Sequence, residues 1–262
     1  MTSAVVSMRC QAALILSLSL LLASLPASSH RAAEPSDSRP PAAVESTQPP
    51  PPAIVIGFLG GMVRHDDAVH TEVQIARDLR RKYSEGVYVA TFENRRRDAA
   101  RNAILATLDT DHDGKLSANE KRNARIVLYG HSWGASAVVA LARDLRNDGV
   151  PVLLTVQVDS VAKAGQNDSE IPENVVQAIN FYQPDGWLHG QPQIHASDPS
   201  RTKILGNFRS QYKDVPYTCV GYPWFGRIFS QDHIKIECDM TLWNKIENLI
   251  REQLPAVQQA KQ

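Results

Sequence analysis

This chain has little cysteine, no long apolar span and no imbalance of charge. Lysine plus arginine and aspartate plus glutamate number 28 each in 262 residues, so there is no net charge with which to face a polyphosphate. No nucleic-acid partner is expected, and a small neutral or apolar substrate fits better. The longest apolar run, Ala12 to Leu25, has 14 residues and breaks at Pro26, which is too short to cross a bilayer comfortably. No internal repeat is present. Of three cysteines, Cys10 precedes the apolar run, so it is not the lipid-bearing residue that would follow such a run at a cleavage site.

What is there begins with that same run. Preceded by Arg9 and followed by small residues at Ala27 and Ser29, it has the form of a secretory signal peptide over residues 1–29. Cleavage falls before His30 or near Ala33; an uncleaved anchor is the alternative. After cleavage no stable membrane span is left, and the protein is expected to be exported, periplasmic or secreted. Residues 30–53 are proline-rich and offer nothing apolar for burial, so they read as an extended tether. Residues 54–262 are then one domain's worth of chain. Export would leave Cys219 and Cys238 as an even pair in an oxidising compartment, either bridged or as two free thiols.

Within the domain, short β-branched runs alternate with helical patterns. This is the signature of an α/β fold with a mostly parallel sheet and helices on both faces. Strands are predicted over 53–58, 87–92, 125–129, 152–158 and 176–182, and helices over 67–83, 95–108, 135–146 and 241–254. Residues 183–232 carry no assignable pattern.

At the end of the third strand the chain reads Gly130-His-Ser-Trp-Gly134, a G-x-S-x-G turn between an apolar strand and a helix. A serine on that sharp turn needs neighbours without a Cβ two positions to either side, which Gly130 and Gly134 supply. Ser132 is the candidate nucleophile, and the amide of Trp133 at the helix start would face a developing oxyanion. The motif in this setting resembles the α/β-hydrolase superfamily, most closely its thioesterase and lipase-like branch, and the element order over residues 53–254 agrees. The resemblance implies a serine hydrolase with a Ser, acid, His triad in chain order. The acid is Asp159 if it follows the next strand, as in thioesterases, or Asp185 if it stands one strand later. The base is expected just before the last helix, at His233, with His189 as the other candidate; His131 adjoins the serine and points elsewhere by the geometry of the turn. A second oxyanion donor should come from the loop after the first strand, at Gly61 or Met62. Such a site would cleave a small-molecule ester or thioester through an acyl-enzyme. An acyltransferase or peptidase on the same fold, or a non-catalytic calcium-dependent binding module, are the alternatives.

A second motif is independent of the first. Asp109-Thr-Asp-His-Asp-Gly-Lys-Leu-Ser-Ala-Asn-Glu120 matches an EF-hand loop at its diagnostic positions. Asp109, Asp111 and Asp113 would offer carboxylates, Lys115 its carbonyl, Ser117 or a water the ninth position, and Glu120 two oxygens. With no second loop and room for only a short exit helix, the expectation is an EF-hand-like insertion with a structural Ca2+ site, roughly 17–20 Å from Ser132 along the intervening strand. The run Arg95-Arg-Arg97 reads as a solvated face. Phe58, Trp133, Trp187, Tyr222, Trp224 and Phe225 are candidates for a substrate pocket or for core.

Overall fold

The computed structural model describes residues 51–213, 219–222 and 231–256. The expected leader, most of the tether, and Trp224 and Phe225 lie outside them.

Six strands form one sheet: β1 (Ala53–Leu59), β2 (Val87–Glu93), β3 (Ile126–His131), β4 (Val152–Val158), β6 (Val175–Tyr182) and β8 (Lys203–Arg209), in the order β2-β1-β3-β4-β6-β8. Every neighbouring pair is parallel. Two short strands, β5 (Glu170–Ile171) and β7 (His195–Ala196), pair separately. A parallel sheet must be covered on both faces, which explains why β1 is buried at all of its positions. Its side chains nevertheless alternate. Val55 packs with α1 (Thr71–Lys82) and the last helix, α6 (Met240–Glu252), through Ile75, Leu79, Trp243 and Ile246. Ile54, Ile56 and Phe58 face α2 (Arg97–Leu108) and α4 (Trp133–Asn147), meeting Ile104, Leu108, Val138 and Leu141. Phe58 is therefore core and not pocket lining.

Strand order reverses direction at β1: the chain steps outward to β2, then returns to place β3 on the other side. In open parallel sheets ligands are held beyond the carboxyl ends of the strands at such a reversal. Ser132 follows β3 there.

The elements depart from the sequence expectation in particular places. The first helix starts at Thr71, not Asp67, because Asp67 accepts the amide of Val69 and closes a local turn ahead of the helix. The predicted helix over 241–254 begins at Met240, where Asp239 caps it by accepting the amides of Thr241 and Leu242. Strand β8 lies in the unassigned stretch; Gly206 and a register shift interrupt its pattern, and it is a half-exposed edge. Arg97 of the basic run is not merely solvated, since its Nε donates to Asp144 at 2.6 Å and ties α2 to α4.

Trp243 is fully buried against the sheet and donates its indole N–H to Ile236 O at 3.2 Å. Trp243→Ala should cost about 3–5 kcal/mol, measured as a lower urea midpoint at unchanged slope.

Candidate active site

Ser132 is the last residue before α4 and has φ 58°, ψ −128°, a backbone conformation that side-chain-bearing residues rarely adopt. The turn is held by close approach. A Cβ on Gly134 would come within 2.2 Å of Phe58 O, and one on Gly130 within 2.7 Å of Gly134 C. Both glycines expected from the motif are required, and each is set against backbone that cannot yield.

The structure brings Ser132, His233 and Asp159 into one hydrogen-bonded chain. His233 Nε2 lies 2.8 Å from Ser132 Oγ, and His233 Nδ1 lies 2.6 Å from Asp159 Oδ2. All three side chains are buried. Asp159 leaves β4 at φ 44° and is fixed from several sides. Its Oδ1 accepts the amides of Gly190 (2.7 Å) and Gln183 (3.1 Å), and its Oδ2 accepts Gln183 Nε2 at 2.9 Å. Burial alone would push Asp159 up, but the hydrogen bond and charge of His233, with help from Gln183, hold it below the usual carboxylate range. Of the two candidate acids it is Asp159, not Asp185, that meets the histidine. His189 is exposed, with its Nδ1 at 3.5 Å from Gly190 O.

His233 does not sit in a loop ahead of the last helix. It belongs to a short helix of its own, α5 (Gln231–Cys238), which Asp239 separates from α6. The Cys219–Cys238 pair is bridged, with Cα atoms 5.7 Å apart, so the end of α5 is tied to the segment at 219–222.

His131 takes a position that the motif did not reveal. Its ring lies against that of His233, centroids 4.5 Å apart. Its Nε2 is 3.1 Å from His233 O, and its Nδ1 is 3.1 Å from Glu237 Oε2. Both neighbours are acceptors, so both ring nitrogens must carry protons to satisfy them. Burial opposes that charge, but Glu237 outweighs burial and raises the His131 pKa. Burial and this neighbouring cation together lower the His233 pKa below its ordinary 6.5, although Asp159 pulls the other way.

In the loop after β1 the residue pressed against the serine is Gly60, where a Cβ would lie 2.9 Å from Ser132 Cβ. Gly61 and Met62 follow in the same turn; Met62 is exposed. Asn94 donates its Nδ2 to Leu59 O (3.0 Å) and Gly61 O (2.6 Å), and accepts Lys163 Nζ at 2.5 Å. That ammonium stands 5.2 Å from the centre of the Trp133 ring. Trp133 and the loop after β1 are thus braced by two polar residues whose role the sequence did not disclose.

No protein-family model matches the chain, and no curated protein matches it. Among solved structures it is similar to a thioesterase, RedJ, from the prodiginine biosynthetic pathway of Streptomyces coelicolor (13% identity, 77% of this chain and 98% of that one, TM-score 0.33). It is similar also to an α/β serine hydrolase without a lid from Xanthomonas campestris (14%, 80% and 88%, TM-score 0.37). A third is a thermostable esterase from Pseudomonas putida (11%, 79% and 74%, TM-score 0.39). These values are too low for any of those activities to be carried over.

The acidic loop closes on itself between α2 and α3 (Ala118–Arg122). Carboxylate oxygens of Asp109, Asp111 and Glu120 lie within 4.8 Å of one another, about twice a Ca–O bond length. Asp109 accepts the amides of Gly114 (3.0 Å) and Asp113 (3.2 Å), which winds the loop around it. Glu120 is held down to about 2 by the amide of Ser117, against burial, with the Thr110 amide and both hydroxyls assisting. Asp113 falls outside that carboxylate group and accepts the Lys115 amide at 2.7 Å. Ser117 Oγ is engaged with Glu120 as the cap of α3. The donor set suits a hard divalent cation.

Among the pocket candidates Tyr222 is buried and Trp187 exposed.

Because the His233 pKa is depressed, the ring is neutral at pH 7 and its protonation is deferred to below 6.5 as pH falls. NMR titration should place its midpoint there, with a downfield Nδ1 proton shared with Asp159. In Asp159→Asn that proton should vanish and the midpoint fall further, since Asp159 favours the cation; a His233 already charged at pH 7 would contradict the geometry.

Proposed function

We propose that this protein is an exported serine hydrolase acting on an ester or thioester, with Ser132, His233 and Asp159 as its triad and a structural calcium site in the loop at 109–120. The observation that carries the reading is the pair of contacts made by His233, 2.8 Å to Ser132 Oγ and 2.6 Å to Asp159 Oδ2, on a strained strand-to-helix turn.

In this reading Ser132 Oγ attacks the carbonyl carbon as its proton passes to His233 Nε2. Asp159 accepts a hydrogen bond from Nδ1–H and steadies the imidazolium. The oxyanion is met by the Trp133 amide and by an amide of the loop after β1, at Gly61 or Met62. His233 returns the proton to the departing alcohol or thiol, leaving an acyl-serine. Water then enters, gives a proton to His233 as it attacks the acyl carbon, and His233 passes that proton to Ser132 Oγ as the acid is released.

Export is supported by the leader-like apolar run and by the Cys219–Cys238 bridge, which suits an oxidising compartment. Among the described residues no helix is long and apolar enough to cross a membrane. Calcium is supported by the clustered oxygens of Asp109, Asp111 and Glu120.

Two experiments test these assignments separately. A fluorophosphonate probe should give one adduct, on Ser132, and Ser132→Ala should lose both the adduct and about 10^6-fold in kcat on an activated ester. Absence of an adduct in well-folded, calcium-loaded protein would favour the non-catalytic binding module instead. Calcium at saturating concentration should raise Tm by about 5 °C or more, and Asp109→Ala should abolish the response.

A further inference from the structure

Behind the candidate triad, on the other side of His131, is a second group of buried ionisable side chains. His70 and Glu72 stand at the start of α1, and Glu237 at the end of α5. One donor atom from each lies within 4.8 Å of the other two. Three such donors share a point no more than about 2.8 Å from any of them, and zinc bonds to imidazole and carboxylate at about 2.0–2.2 Å. Shifts of well under 1 Å would therefore close a coordination shell.

Glu72 is the least supported member of the group. It has no exposed surface, and neither carboxyl oxygen accepts a hydrogen bond, although it shares its surroundings with a second buried carboxylate. His70 and Glu237 do have each other, Nδ1 to Oε1 at 2.5 Å, and Glu237 spends its other oxygen on His131. A lone buried carboxylate beside another costs several kcal/mol unless a proton or a cation neutralises it. The surrounding backbone is meanwhile held firmly. Thr71 Oγ1 donates to Glu237 O at 2.7 Å, and Tyr129 OH donates to Glu72 O at 2.8 Å.

We propose that His70, Glu72 and Glu237 form a buried site for a divalent transition metal of the zinc class, which staples the start of α1 to the helix that carries His233. One imidazole with two carboxylates is a donor set suited to such an ion, and the two anionic charges match its charge. Glu237 would bind the ion through one oxygen and keep His131 on the other, so the metal fixes the groups behind the base without touching substrate. The site shares no residue with the acidic loop at 109–120, whose all-oxygen donors suit calcium instead.

The test needs no catalysis and is made in a Ser132→Ala background, so its outcome is independent of the hydrolase reading. The full chain, purified without a histidine tag and with calcium present, should carry close to one transition-metal ion per molecule by plasma mass spectrometry. Phenanthroline, which removes such ions and spares calcium, should lower Tm by about 5 °C or more, and zinc should restore it. Glu72→Gln should lose the ion and the response to zinc. If the stripped chain takes up no zinc in a calorimetric titration, or if Glu72→Gln binds it equally well, Glu72 is neutralised by a proton and the proposal fails. The wild-type titration decides the matter even where the variant does not fold.

Discussion

The carboxyl end of the sheet depends on how closely α4 is pressed against the end of β1. Gly134 leaves no space for a side-chain carbon, since one would lie 2.2 Å from Phe58 O, and Gly130 is just as tightly set against Gly134. That contact fixes the angle at which the chain leaves β3 and stores strain at Ser132, whose φ of 58° only a well-anchored turn can sustain. The strain is supported by packing on both sheet faces, where β1 and β3 are buried along their whole length. Rigid scaffolding thus becomes a precisely aimed hydroxyl.

A hydroxyl aimed from β3 is useful only if the histidine is held as well, and His233 arrives 101 residues later in sequence. Long-range placement of this kind needs anchors of its own. Asp159 is fixed by three donors from Gln183 and Gly190 before it meets the ring. Helix α5 is bound by the disulfide at Cys238, by Thr71 at Glu237 O, and by Trp243 at Ile236 O. The ring itself rests on His131. Each anchor comes from a different part of the chain, so His233 is positioned by the fold as a whole.

How much of this was legible in the sequence follows from how local each feature is. Five of the six strands and the turn at Ser132 announce themselves through short-range pattern, because burial of the central strands on both faces demands apolar runs and the turn demands its glycines. The acidic loop is equally local. Ser132, Asp159 and His233 were each named from local signals, and the fold sets them within hydrogen-bonding distance in one chain. What escaped is set by distant contacts: Asn94 and Lys163 bracing the loop after β1, His131 stacking on the base, and the meeting of His70, Glu72 and Glu237. Edge strand β8 escaped for another reason, since a glycine and a register shift break the alternation that would have marked it.

The buried charges of the site also make sense only together. Asp159 and Glu237 are anions without water, each of which would be costly alone. His131 is the cation that supports Glu237 first and Asp159 to a lesser degree. Glu237 and Asp159 favour its charged form, and its charge in turn helps to hold both carboxylates ionised. Together with burial, the same charge disfavours a second cation on His233 and lowers its pKa. Removing the proton on His131 would therefore weaken the carboxylates and raise the basicity of His233 at once. A residue next to the serine in sequence thus acts on the base through space, and the electrostatic balance of the site extends one layer behind the residues that would meet substrate.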